Sequence, residues 1–249
     1  MTDILLINPN TTRSITNLVL RTARTFVDKG TRLRAVTGAF GPRYVASRVG
    51  YAIAGHAAVD AFASDRGAKD AVVLACFGDP GLAALREIAS VPVVGMADAS
   101  VLQACAIGDR FSIVTGGERW KEMLEEFVSQ RGLAGRLASV RTVAPTGADI
   151  ARDPKTAMRL LADGCNTCAR EDGADVVILG GAGLAGLAAR LRPMVEAPLL
   201  DGVACAIAQA ESLAQQHLAN LGNPPAPVES VGLSKALTRL LAKRSTPRP

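Results

Sequence analysis

Ala71-Val72-Val73-Leu74-Ala75-Cys76-Phe77-Gly78-Asp79 and Val176-Val177-Ile178-Leu179-Gly180-Gly181-Ala182-Gly183 are near-copies of one another. Each runs into a Leu/Ala helical stretch and then a second apolar run, Val91-Pro92-Val93-Val94-Gly95 after the first and Ala197-Pro198-Leu199-Leu200-Asp201 after the second. Aligned in this way, Cys76 falls on Gly181. A duplicated unit predicts two facing copies of one strand-to-helix turn, one carrying a thiol and the other no side chain.

Working outward, short β-rich runs alternate with longer helical patterns. The strands are read as Ile4–Ile7, Leu33–Val36, Ala71–Ala75, Val93–Gly95, Phe111–Val114, Val140–Val143, Val176–Leu179 and Leu199–Leu200. In Thr12–Val27 the apolar positions Ile15, Leu18, Val19, Ala23, Phe26 and Val27 keep a three-to-four spacing, with Thr11 or Thr12 as N-cap. The continuously apolar strands suit a parallel sheet covered on both faces. The class is α/β, doubly wound. The repeat also aligns Ile4-Leu5-Leu6-Ile7-Asn8-Pro9-Asn10 with Arg110-Phe111-Ser112-Ile113-Val114-Thr115-Gly116, pairing Asn8 with Thr115 at nearly the same offset. The chain therefore reads as two pseudosymmetric lobes: residues 1–97 plus 202–249, and residues 98–201. The helices predicted over Val203–Ala219 and Ser234–Ala242 return to the first lobe. Gly222-Asn223-Pro224-Pro225-Ala226-Pro227 reads as a loop and Ser245–Pro249 as a frayed end.

Composition narrows the function classes. Of 249 residues, 49% are hydrophobic, 20% charged and 4% aromatic, which indicates a compact core of Ala, Val, Leu and Ile. The net charge of +5 is spread along the chain apart from Lys243-Arg244 and Arg248, a pattern of solvation rather than nucleic-acid binding. Five cysteines without a signal peptide predict reduced thiols and a cytoplasmic location. No apolar run reaches the roughly 18–20 residues that span a bilayer. An Ala-rich helical surface admits a homo-oligomer, although no patch specifies one.

Ligands of a parallel sheet collect at the carboxyl ends of the strands. Four segments end there: Asn8-Pro9-Asn10-Thr11, Cys76-Phe77-Gly78-Asp79, Thr115-Gly116-Gly117 and Gly180-Gly181-Ala182-Gly183. Their backbone amides suit a carboxylate, an imide oxygen or a developing enolate. Neither GxGxxG after the first strand nor GxxxxGK[ST] occurs, which argues against a nucleotide. Cys76 is the sharpest signal: at a helix N-terminus its thiolate would be favoured, making it a base or a nucleophile. The competing reading is a buried structural cysteine. Cys165 and Cys168 form a C-x-x-C inside the helical pattern Lys155–Arg170, with no second pair, and read as structural rather than as a zinc or redox site. Cys105 and Cys205 read as core. His56 and His217 have no triad-like partners. Trp120 reads as helix packing, and Tyr44 can reach the crevice from the Gly41-Pro42-Arg43-Tyr44 loop.

Asn8-Pro9-Asn10-Thr11, Ala75-Cys76-Phe77-Gly78-Asp79-Pro80-Gly81, Thr115-Gly116-Gly117-Glu118-Arg119-Trp120, Leu179-Gly180-Gly181-Ala182-Gly183 and Asp201-Gly202-Val203 together resemble the aspartate/glutamate/hydantoin racemase family, nearest its hydantoin and allantoin branch. The resemblance implies two α/β lobes with the active site in the cleft between them, a small-molecule substrate (a hydantoin, ureide or small carboxylic acid), and no cofactor or metal. It also implies two cysteines facing the substrate α-carbon, one removing a proton and the other returning one to the opposite face. Cys76 matches the first; the second belongs where this chain has Gly181. The expectation is a cofactor-independent enzyme moving a proton beside a carbonyl, by a single base. In that reading Cys76 is catalytic. The amides of Phe77 and Gly78, with Asn8, Asn10, Tyr44, Thr115 and Gly116, contact the substrate, and Gly181, Ala182 and Gly183 line the opposite wall. The alternatives are a single-cysteine decarboxylase, lyase or cis–trans isomerase, or a thiol-deficient variant that binds ligand without turnover.

Overall fold

In a computed structural model, which describes residues 1–143, 153–216, 227 and 229–242, the chain forms two four-stranded parallel sheets clothed by helices. The first sheet has the order β2-β1-β3-β4, from β1 (Thr2–Asn8), β2 (Thr31–Thr37), β3 (Ala71–Leu74) and β4 (Val93–Gly95). The second repeats it as β6-β5-β7-β8, from β5 (Phe111–Gly116), β6 (Leu137–Val143), β7 (Val176–Leu179) and β8 (Leu199–Asp201). All eight strands read from the sequence are present, most of them longer by a residue or more. The apolar runs are continuous because both faces of each sheet are buried. Ile4 and Leu6 of β1 enter one core cluster, while the alternating Leu5 and Ile7 enter another.

The helices are α1 (Arg13–Ala23), α2 (Arg48–Ser64), α3 (Leu82–Ile88), α4 (Met96–Ile107), α5 (Trp120–Ser129), α6 (Pro154–Arg170), α7 (Ala188–Leu191), α8 (Gly202–Gln215) and α9 (Lys235–Leu241). Several start where short polar side chains satisfy free amides: Ser47 accepts from Gly50 N, Asp153 from Thr156 N with Pro154 behind it, and Ser234 from Leu237 N. Thr12 holds the N-cap position of α1, but its hydroxyl donates to the Arg43 carbonyl at 2.6 Å instead of capping. The helix also stops at Ala23, short of the predicted Val27. Residues 217–219 of the predicted Val203–Ala219 helix, His217, the loop before Pro227 and the Ser245–Pro249 end lie outside the described residues.

The two halves are joined by exchange. Helix α4 follows the first sheet but packs on β7 of the second, α8 follows the second sheet but packs on β1 and β3 of the first, and the two helices pack on each other. The central core cluster runs through both sheets, from Ile4, Leu6 and Val73 to Phe111, Ile113 and Ile178. Strand order reverses between β1 and β3 and again between β5 and β7. Each reversal opens a crevice at the carboxyl ends of the strands, and the two crevices share one cleft. No helix among the described residues is long and apolar enough to cross a membrane.

Candidate active site

The cleft encloses about 570 Å³ of empty space, part of it open to solvent. From the first half it is lined by Asn10, Ile15, Tyr44, Val45, Cys76 and Phe77, and from the second by Thr115, Gly116, Trp120 and Gly181 to Leu184. Nine of the eleven residues expected at the site therefore meet there, and Cys76 shares the cavity with Gly181. The other two, Asn8 and Gly78, do not line it. Asn8 is buried, and its amide is spent holding the turn together: Nδ2 donates to Asn10 Oδ1 at 3.0 Å and to Thr16 Oγ1 at 2.9 Å, and Oδ1 accepts from Asn10 N. Gly78 has φ +109°, and a Cβ there would stand 2.6 Å from the Trp120 ring, so it packs beneath the cleft wall.

Four contacts fix the turn that carries Cys76. Asp79, itself at φ +56°, donates its N–H to the Cys76 carbonyl at 3.0 Å. Its carboxylate accepts from Ala97 N at 3.0 Å and Asp98 N at 2.8 Å, the opening amides of α4. The Tyr51 hydroxyl donates to the Gly78 carbonyl at 2.7 Å. The Phe77 ring seats against two glycines: a Cβ on Gly180 would come within 2.6 Å of it, and one on Gly202 within 3.4 Å. Phe77 thus contributes a ring to the site, beyond the amide foreseen. Trp120, read from sequence as helix packing, donates Nε1–H to the Val45 carbonyl at 3.0 Å, covers Gly78 and lines the cleft. Tyr44 stands at the mouth, 55% exposed.

The electrostatics of Cys76 also differ from expectation. Helix α3 begins only at Leu82, behind a left-handed Gly81, so the sulfur does not sit on a helix N-terminus. Burial, followed by the nearby Asp79 carboxyl, pushes the Cys76 thiol up to about 12. Burial likewise raises Asp79, to about 7, against the two amide hydrogen bonds that favour its charge. The resting cleft therefore holds a neutral thiol: a weak acid, and a strong base once ionised.

The far wall is almost bare. Gly181 has φ +122° and ψ 128°; a Cβ there would meet Thr115 Oγ1 at 3.5 Å and Leu184 at 3.9 Å, ordinary contact distances. Sequence reasoning missed Ile15, Val45 and Leu184, apolar residues brought in from a helix, a loop and a 3₁₀ turn. Of the remaining thiols, Cys165 and Cys168 lie in the core between α6 and its sheet, and His56 is exposed against Phe40, away from the cleft.

Against known proteins, the Asp/Glu/hydantoin racemase family profile matches residues 4–210. A hydantoin racemase from Pseudomonas sp. (strain NS671) is 34% identical over 211 residues, covering 84% of this chain and 85% of its own. The crystal structure of allantoin racemase from Pseudomonas fluorescens superposes with a TM-score of 0.89 at 32% identity, covering 93% of this chain and all of that one. Allantoin racemase from Klebsiella pneumoniae gives a TM-score of 0.89 at 30% identity, over 95% of this chain and 99% of that one.

Proposed function

Because the chain belongs to the Asp/Glu/hydantoin racemase family, and is an enzyme of that racemase class, we propose that it moves a proton at a carbon beside a carbonyl of a hydantoin or ureide, with Cys76 as its one thiol base. The observation that carries this reading is the position of Cys76: a single sulfur on the wall of the cleft shared by the two sheets, with a glycine at the matching position, 181, of the other wall. In the thiolate form, sulfur takes the proton from the ring carbon and the C–H pair moves onto the carbonyl oxygen as an enolate. The thiol so formed is the acid that can return a proton to the same face. Asn10 supports binding: its Oδ1 is held by Asn8 Nδ2 and Thr12 N, which fixes a side chain that also lines the cleft.

The same reading divides the chain into a lobe of residues 1–97 plus 202–249 and a lobe of 98–201. It is supported by α8 packing on the first sheet and α9 on α2. Among the described residues no group of three or more His, Cys, Asp or Glu side chains is placed to hold a metal ion, and the chemistry above draws on neither metal nor cofactor. A cytoplasmic setting fits five free cysteines.

One observation favours a second reaction. Without a side chain at 181, the far wall has room for a second substituent on the reacting carbon, as in a disubstituted malonate. Loss of CO₂ would leave an enediolate that Cys76 protonates from one side.

A single enantiomer of a 5-substituted hydantoin, or of allantoin, incubated in D₂O separates these reactions. Deuterium uptake at the ring carbon is expected, and Cys76→Ala should lower it by about 10²–10⁴-fold while leaving the fold intact by circular dichroism. Because burial pushes the thiol up to about 12, the working thiolate fraction grows as pH rises. Exchange should therefore climb steadily from pH 7 through pH 10, with no plateau near the ordinary thiol value of about 8.5. Undiminished exchange in Cys76→Ala would overturn the reading. Release of CO₂ from a malonate without hydantoin exchange would select the second reaction.

A further inference from the structure

The internal repeat gives each half two positions at the end of its inner strands, and the halves use them in opposite ways. In the first half Asn8 is consumed within its own turn and Cys76 faces the cleft. In the second half the counterpart of Cys76 is Gly181, while Thr115, the counterpart of Asn8, lines the cleft. Thr115 is 4% exposed, and what little of it remains accessible opens into the cleft, where its hydroxyl hydrogen bonds to no described residue. Its Oγ1 lies 3.5 Å from where a Cβ at 181 would stand, beside the space a second thiol would use. The other cleft-lining side chain of that half with a polar atom, Trp120, has its N–H committed to the Val45 carbonyl. A hydroxyl that opens into a cleft with no partner among the described residues is free to donate to, or accept from, a water held there.

Building on the reading of Cys76 as the thiol base, we propose that Thr115 is the positioning residue of the far face: its hydroxyl holds a solvent water in the space left by Gly181, and that water supplies the proton that completes inversion. The cycle balances. The Cys76 thiolate takes the proton from the carbon and becomes a thiol, and the C–H pair forms the enolate. The enolate carbon takes a proton from the water on the opposite face, leaving hydroxide. Hydroxide recovers the thiol proton through solvent, which regenerates water and thiolate. The consequence is uneven traffic: Cys76 takes and returns protons on its own face many times for each inversion through the weaker water acid.

The ratio of inversion to deuterium uptake, measured on one enantiomer of a 5-substituted hydantoin in D₂O, isolates this role from general damage. In Thr115→Val, which keeps the shape and removes the hydroxyl, the ratio should fall by about 10-fold or more, less than the roughly 10²–10⁴-fold of a side chain that transfers the proton itself. Thr115→Ser should keep it within a few-fold of the parent enzyme. Thr115→Ala carries the same expectation as the valine change if valine does not fold at this buried strand position. An unchanged ratio in the hydroxyl-free variants overturns the proposal. So does an equal fall of inversion and uptake, which would make Thr115 a contact to the substrate itself, and so does loss of the ratio in the serine variant as well. If the parent enzyme exchanges neither hydantoins nor allantoin, the reading of Cys76 fails first, and this proposal with it.

Discussion

The Cys76 turn and the Gly181 turn leave equivalent strands of the two sheets, and they are built to opposite ends. The first is held from every side: by Tyr51 on the Gly78 carbonyl, by Trp120 over Gly78, by Asp79 on α4, and by Phe77 seated against Gly180 and Gly202. The second is glycine-rich, runs through φ +122° at Gly181, and leaves open space around Gly183. The helix caps show the same asymmetry. In the second half Asp201, at the end of β8, accepts from Val203 N and Ala204 N and so caps α8 directly. Its counterpart at the end of β4 is Gly95, where a Cβ would overlap the Asp79 carboxylate. The cap of α4 is thus supplied from the Cys76 turn, which couples the sulfur to the helix that crosses to the other sheet. Under the proposed function the thiol needs rigid placement, whereas the wall opposite it contributes shape.

The largest effect should come from breaking the contact through which one turn grips the other. Phe77→Ala removes a buried ring that bridges the halves and should cost about 3–5 kcal/mol in denaturant unfolding. Its counterpart in the repeat is Ala182, a single methyl. Ala182→Gly should cost no more than about 1 kcal/mol. Equal losses from the two changes would show that the two turns are equally structural.

Gly181→Cys tests the comparison from the other side. The space accepts a Cβ at ordinary contact distance, but the backbone conformation is one that L residues rarely adopt. The variant is expected to lose about 1–3 kcal/mol of stability and yet to invert a hydantoin faster, because a second thiol would then stand across from the first. Lost stability with no gain in inversion would mean that residue 181 does not face the reacting carbon.

Much of this was legible in the sequence. Strand positions follow from β-branched runs bounded by Gly, Pro and Asn, and the repeat itself aligns Cys76 with Gly181. Three expectations turn on which way a side chain or helix points, and the structure places these groups differently. Asn8 has the chemistry of a ligand contact, but its partners Asn10 and Thr16 lie close enough along the chain to consume it. Gly78 sits in the correct turn, but its α-carbon faces Trp120. Cys76 precedes a helix in sequence, but the helix starts only after Gly81, so burial governs the thiol rather than a dipole. Ile15, Val45 and Leu184 carry no chemical signature, and only the folded chain brings them to the cleft.

The smallest effect worth measuring concerns how the Cys76 turn is held. Tyr51→Phe deletes one hydrogen bond to the Gly78 carbonyl, a loss of about 0.5–1.5 kcal/mol in global stability. Burial keeps the Tyr51 hydroxyl protonated, raising it to about 12, so it remains a donor across the working pH range. If that bond positions the sulfur, the phenylalanine variant should slow deuterium uptake by more than its stability loss explains, and alkylation of Cys76 by iodoacetamide should change in parallel. If uptake and alkylation are both unchanged, the ring of Trp120 and the carboxylate of Asp79 suffice to hold the turn. The rigidity of the thiol side would then come from the opposite half and from α4, rather than from α2.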